Sequence, residues 1–531
     1  MPNQYATDAA NLLHEALLQQ DYQTGTYAPA LAERLPELHF LGDSLLQLDY
    51  QLRSQATWDD GRPVLAADVV FTLKLIYCPG LPNENARLQL GFIQDCRADP
   101  ADPRHLILIC QGQAPEYRWA SGDFPVLPEI TFDPAHTLRA LSLADLRRAA
   151  VPSSAVAALV ARYKQANVGR HPSRLPGCGP YQLADWQTNR VLRFERKHNW
   201  WADRLVAAPF VLQAHPQQLQ FLIMPNAAAA ALALGRHEID VLPQVPALLF
   251  RQLQQSAATS QGLAFYTTTS YNVVTMGFNT QRPALQDKYT RQALGCLLDP
   301  AALAQATQQT PGLRTASILP PASPYYNDSL PLPAYNPGQA TVLLRRAGWQ
   351  QQADGHWYRA SQPEPLALTL RYRSDDNTFS AVGLQFRQAA EQLGIEVTLR
   401  PTEASLLTQT LQAGDFDAYV KVVPGNPFVL NFSPLLHSQA IGAGNLTRFS
   451  NPVSNKLLVA IAAEGRPTTK RRLLRQYQRL LREEAPIIPL FVLPSRLAAN
   501  RRLRHITPSG LKPGYAAAAI TWAADTTAVA R

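Results

Sequence analysis

LALTLRYRSDDNTFSAVGLQFRQAAEQLGIEVTLRPTEASLLTQTLQAGDFDAYVKVV, residues 366–423, decides the fold class. Leu366 to Tyr372 reads as a strand. Phe379 to Leu393 reads as a helix closed by Gly394, a residue suited to the left-handed turn that ends helices. Ile395 to Arg400 is a second strand, Glu403 to Gln412 a helix with Gly414 after it, and Phe416 to Val423 a third strand. Strand, helix, strand, helix, strand predicts a parallel sheet with right-handed crossovers. The same texture extends outward. Val273 to Asn279 is a strand, Lys288 to Gln308 is helical, and Asn336 to Ala347 is a helix closed by Gly348. A long helix, Thr468 to Glu484, precedes the apolar Ile487 to Leu493. Upstream, Gln218 to Met224, Asn226 to Gly235 and Ile239 to Leu242 repeat strand, helix, strand. From Gly177 to Trp201 the pattern is β, with strands at Pro180 to Asp185 and Arg190 to Arg196. Earlier still, Ala9 to Gln19 reads as a short helix, Ser44 to Leu52 as extended chain, Pro63 to Ile76 as a helix and Ser142 to Gln165 as a long helical region. Strands are expected near Gly91 to Ala98 and Arg104 to Cys110.

A chain of 531 residues suggests two or three domains. Apolar residues make up 46% and charged residues 17%, which excludes a disordered chain. The 43 prolines are spread out and read as rigid loops. The net charge of +9 raises nucleic acid or an anionic surface as partners. Its densest source is Lys470, Arg471, Arg472, Arg475, Arg479 and Arg482, which at helical spacing reads as a solvated helix face. No nucleic-acid motif accompanies it. Five cysteines, Cys78, Cys96, Cys110, Cys178 and Cys296, contain no C-x-x-C pair. Cys96 and Cys110 fall on neighbouring expected strands, where a bridge or two buried thiols both fit. No apolar run reaches the length of a membrane span, and no secretory signal opens the chain.

Catalytic signatures are missing. There is no H-E-x-x-H, no Walker loop and no G-x-S-x-G elbow. His136, His171, His198 and His215 have no partner at metal-ligand spacing. Gly177-Cys-Gly179 starts like a dinucleotide fingerprint, but Pro180 follows and a strand, not a helix, opens there. Asp59-Asp60 and Asp375-Asp376 sit in turn-like contexts. The expectation is a binder, with no catalytic residue, no metal and no cofactor.

Several segments resemble a known family, the extracytoplasmic solute-binding proteins of peptide, oligopeptide and nickel ABC importers (family 5). Tyr27 to Glu33 resembles its P-x-L-A segment. Trp58-Asp-Asp-Gly61-Arg-Pro63 through Asp68-Val-Val-Phe71 resembles its W-x-D-G-x-P…A-x-D-V-x-F signature. Gly177-Cys-Gly-Pro-Tyr181, Trp186 and Asn199-Trp-Trp201 resemble its G-x-G-P-Y…N-x-x-W segment. Gly235 to Asp240, Phe278-Asn279, Arg291 to Leu294, Pro320-Pro321, Leu343 to Gly348 and Pro486 to Leu490 follow in the family's order.

The resemblance implies an α/β, two-lobed periplasmic-binding-protein-like (type II) fold with an additional subdomain inserted in lobe I. Lobe I is expected at 1–15, 214–268 and 487–531, the subdomain at 16–213 and lobe II at 269–486. It implies a monomer that captures a peptide or other small solute between closing lobes and delivers it to membrane permease subunits, without nucleic acid. Ligand contacts are expected from Tyr271 and Asn272 at the first hinge strand, Tyr372 and Arg373 after a lobe II strand, and Pro424, Gly425, Asn426 and Phe428 at the second hinge. Two departures stand out. Met1 to Tyr5 begins where the family's first strand has already ended, so a start beyond a missing periplasmic or lipid-anchoring signal is expected, or a cytoplasmic chain if Met1 is the true start. In addition, the aspartate that anchors a peptide's α-amine has no counterpart between Asp417 and Phe428, and Lys421 puts a cation nearby. The second reading is the ligand-sensing domain of a cytoplasmic transcription regulator with this fold.

Overall fold

A computed structural model describes residues 4–167, 175–309, 313–428, 430–511 and 513–523. The chain divides into two compact units, 1–244 with 253–266 and 497–531, and 245–252 with 267–496.

The second unit is built on a five-stranded sheet. Its strands are β1 (Val273–Phe278), β2 (Ala367–Arg373), β3 (Glu396–Thr402), β4 (Ala418–Val423) and β5 (Ile487–Val492), in the order β3-β2-β4-β1-β5. β2 runs parallel to β3 and β4, as the sequence predicts. β1, however, is antiparallel to both β4 and β5, so the sheet is mixed. Helix α1 (Asn377–Gln392) crosses from β2 to β3, and α2 (Ala404–Ala413) from β3 to β4. Each starts where a carboxylate takes up otherwise unpaired N–H groups: Asp376 accepts from Thr378 N–H (2.9 Å), and Glu403 from Ser405 N–H (2.9 Å). α2 ends on Gly414, at φ +82°.

Strand alternation sends two sets of side chains to opposite faces. Leu368, Leu370 and Tyr372 of β2, Val420 of β4 and Met276 of β1 pack with Val382 and Phe386 of α1. On the other face Tyr419 packs with Phe416, Leu407 and Leu411. Its ring lies over Gly277, where a Cβ would sit 2.5 Å from Tyr419 Oη, so only glycine fits.

Several expected elements change. β5 pairs with β1, so residues 487–496 stay with the second unit and the expected boundary at 486/487 moves to 496/497. The boundary expected at 268/269 lies at 266/267. The two passages fall within the strands Ser495–Asn500 and Leu263–Thr268, and Pro424–Phe428, expected at a hinge, follows β4 inside the second unit. The helix expected over 288–308 is two, Lys288–Gly295 and Pro300–Gln308, because Pro300 starts a new helix capped by Asp299. Residues 142–165 likewise split at Pro152 into Leu143–Arg148 and Ser154–Ala166. In α3 (Pro467–Glu484), Lys470 leaves the solvated face. It is buried because it lies in line with Leu474, Tyr477 and Leu481.

The first unit holds a four-stranded sheet (Glu37–Leu41, Leu45–Gln51, His105–Gln111, Ile93–Ala98, in that order) and two three-stranded sheets. One joins Tyr181–Gln187, Val191–Arg196 and Gln218–Leu222; in the other, Ser495–Asn500 lies between Val241–Pro243 and Leu263–Thr268. Its first helix is Gln4–Leu13, not 9–19, and Leu18–Asp21 is a strand. The reason is a competing bond: Leu13 O accepts the N–H of Gly179 (2.9 Å) and not that of the next helical turn. The five cysteines are free, four of them buried. Cys96 faces Leu108 and Cys110 faces Ile93, so the two are not cross-strand neighbours.

Candidate functional site

Tyr271 and Asn272 lead into β1, and Pro424 to Phe428 leave the neighbouring β4 at the same end, because Val273 pairs with Val423. The two segments touch. A Cβ on Gly425 would sit 2.7 Å from Tyr271 Cβ and 3.0 Å from its carbonyl carbon, so glycine lets the backbones meet. The loop holds its own shape: Asn426 Oδ1 accepts the N–H of Phe428 at 2.8 Å. The 270–272 segment is tied down in turn. Asn272 N–H donates to Ser270 Oγ (3.0 Å), and Asn272 O accepts from Leu493 N–H (2.9 Å). Tyr271, Asn272, Gly425, Asn426, Pro427 and Phe428 are half-buried and Pro424 is exposed. Among the described residues, the Tyr271 hydroxyl and the Asn272 amide have no hydrogen-bond partner. The structure thus brings six of the eight expected contact residues together, on a held backbone with free polar groups.

Tyr372 and Arg373 are not among them. Tyr372 is 5% exposed and lies in the core, its ring against Gly383 of α1. Arg373 is held by the Asp375 carboxylate (2.5 Å), with Asp376 3.5 Å away, and lies over the Phe379 ring. Period-two alternation from Leu368 and Leu370 already marks Tyr372 as inward.

Lys421 sits on the opposite face of β4 from Val420, directly across from Thr275, whose hydroxyl donates to Lys421 O (3.0 Å). Among the described residues no carboxylate pairs with its ammonium. Burial lowers its pKa below the ordinary lysine value, with no counter-charge raising it. The carboxylates flanking the sheet are engaged elsewhere. At the far end of β4 Asp417 accepts the N–H of Thr369 (2.8 Å) and Asp415 holds Arg371 (2.6 Å); at the end shared with the 424–428 loop, Asp375 holds Arg373 and Asp376 caps α1.

The signature residues of the first unit form a scaffold. Gly177 N–H donates to the Asp59 carboxylate (2.7 Å), and Asp59 N–H donates to Gly177 O (3.0 Å). A Cβ on Gly179 would lie 2.6 Å from Leu12 O. Trp200 and Trp201 both donate their indole N–H to Cys178 O, at 3.0 and 2.7 Å. Asp68 accepts from the N–H of Leu65 (3.0 Å) and of Glu129 (2.9 Å). Sequence reading missed Glu15, which lies buried beside this lock, its backbone N–H on the Cys178 sulfur at 3.3 Å. Burial raises its pKa well above the ordinary carboxylate range. No pattern around Glu15 signals it. His136 lies 3.3 Å from Glu129, and His171 falls outside the described residues. Among the described residues no group of His, Cys, Asp and Glu could hold a metal ion, and no helix is long and apolar enough to cross a membrane.

A family model described as bacterial extracellular solute-binding proteins, family 5 Middle, matches residues 26–440. The chain is 26% identical over 516 residues to probable di/tripeptide-binding protein 5 of Pseudomonas aeruginosa, spanning 93% of this chain and 87% of that protein. It is 25% identical over 329 residues to heme-binding protein A of Haemophilus influenzae, where the match spans 60% of this chain and 54% of the relative. Among solved structures, the oligopeptide-binding protein AppA of Bacillus subtilis in complex with a nonapeptide superposes with a TM-score of 0.78 at 19% identity, covering 98% of this chain and 95% of that one. The two-lobed fold expected from the motifs is the fold of that neighbour. The motif order along the chain and the matched family model agree: the chain belongs to the bacterial extracellular solute-binding proteins of family 5.

Proposed function

We propose that the chain is the substrate-binding component of an ABC importer, a non-enzymatic, monomeric, extracytoplasmic carrier that captures a peptide or related small solute for its permease. Residues 16–213 serve as the subdomain added to lobe I. The observation that carries the site is the meeting of Tyr271-Asn272 with the 424–428 loop at Gly425, which leaves polar side chains and loop backbone available to a ligand. Main-chain pairing of this kind gives affinity without strict side-chain choice. The ligand is neutral or anionic at the end that meets β4: a buried ammonium needs a carboxylate, and Asp375 and Asp376, at that end of the sheet, are engaged by Arg373 and the start of α1. The regulator reading has no supporting observation.

Calorimetry against a panel of di- to pentapeptides tests the carrier role, and small-angle scattering with the tightest binder tests closure. Binding with a smaller radius of gyration supports it. Hydrolysis of the panel, lost on a single substitution at the site, overturns it.

A further inference from the structure

A cavity of about 380 Å³ opens in the second unit beside the C-terminal half of α3. Ile318, Leu330, Leu343 and Ile488 give it an apolar wall, and the Cys296 thiol, half-buried, faces it as well. Two arginines one turn apart on α3, Arg479 and Arg482, border the same space. Arg482 is half-buried, yet among the described residues its guanidinium has neither a hydrogen bond nor an ion pair. Arg479 at the rim is likewise unpaired. Glu483, which borders the same cavity, is engaged by Lys288 at 2.6 Å. An apolar wall next to an unpaired, partly desolvated cation is an unbalanced arrangement, because a guanidinium out of water calls for an anion.

We propose that this cavity binds a small carboxylate carrying an apolar chain, with the carboxylate on Arg482 and the chain along the Ile318–Leu343 wall. The site is separate from the Tyr271–Gly425 region and does not rest on the importer reading. Charge complementarity selects an anionic head, and the wall selects a tail over a bare anion.

The test uses the full chain and the labelling rate of Cys296 by a thiol reagent, with octanoate, acetate and 1-octanol as probes. Octanoate at or below about 1 mM is expected to slow Cys296 labelling, and acetate and octanol to need at least about tenfold more. Arg482→Gln is expected to weaken octanoate protection about tenfold, the worth of a charge-assisted bond, and to leave octanol unchanged. No protection by octanoate, equal protection by acetate, or full octanoate protection in Arg482→Gln overturns the proposal. Should that variant not fold, octanoate against octanol on the wild-type chain decides it.

Discussion

Gly425→Ala is the sharpest probe of the proposed solute site. The added methyl would lie 2.7 Å from Tyr271 Cβ and 3.0 Å from the Tyr271 carbonyl carbon, whereas carbon atoms settle at about 3.5–4.0 Å. The nearest obstacles belong to the backbone or its first side-chain carbon, so no rotamer change relieves them. The Tyr271 carbonyl oxygen lies closer still, so the loop or Tyr271 must retreat by at least about 0.8 Å. Forcing such a fit costs about 1–3 kcal/mol, and a loop that can move takes the low end. Ligand affinity suffers more. If the displaced loop forfeits two hydrogen bonds worth about 1 kcal/mol each, affinity falls roughly thirtyfold. Calorimetry with the tightest peptide of the panel measures this, and thermal melts measure stability. Gly338→Ala, at an exposed helical position with nothing nearer than 3.5 Å, is the control; it is expected to gain about 0.5–1 kcal/mol and bind unchanged. Unaltered affinity in Gly425→Ala refutes the placement of the ligand against this loop.

One peptide compared free and N-acetylated is expected to bind within tenfold, and a free amine favoured by more than about 1.4 kcal/mol would reveal an anchoring carboxylate elsewhere. Lys421→Met is expected to raise the melting temperature at neutral pH. Burial lowers the Lys421 pKa below 10.5, so its charge opposes folding, and wild type gains stability as pH rises from the lowered value toward 10.5. The variant should lack that gain; a melting temperature that falls contradicts the reasoning. Thiol labelling of the native chain at pH 8 should reach Cys296 alone, since Cys78 and Cys96 are buried with pKa values pushed up to about 12, and Cys110 and Cys178 are buried too; rapid labelling of two or more sites refutes this burial.

The features legible in the sequence were those with a local physical cause. The glycines at 177 and 179 and the tryptophans at 200 and 201 are visible as a motif because the close approach they allow admits few alternatives. The β2-α1-β3-α2-β4 run is visible because its periodicities switch cleanly at capping residues. The direction of β1 was not, because alternation tells which face a residue takes and nothing about which strand lies alongside or which way it runs. Pro152 and Pro300 did signal the two helix breaks, but continuous apolar spacing outweighed them. At the site, the contact at Gly425 depends on a residue 154 positions earlier in the chain, and no local pattern encodes that.

The placement of Ser495–Asn500 as the middle strand between Val241–Pro243 and Leu263–Thr268 has a bearing on the order of events during synthesis. Those two strands have no partner until Ser495–Asn500, more than 220 residues further along the chain, has left the ribosome. The lock at Gly177–Gly179 likewise leaves residues 12–14 waiting for a segment more than 160 positions downstream. Closing such long loops is slow, and the waiting intermediates expose strand edges. The first unit is therefore expected to mature only after Ser495–Asn500 has been made, which makes the nascent polypeptide a natural client for a holdase.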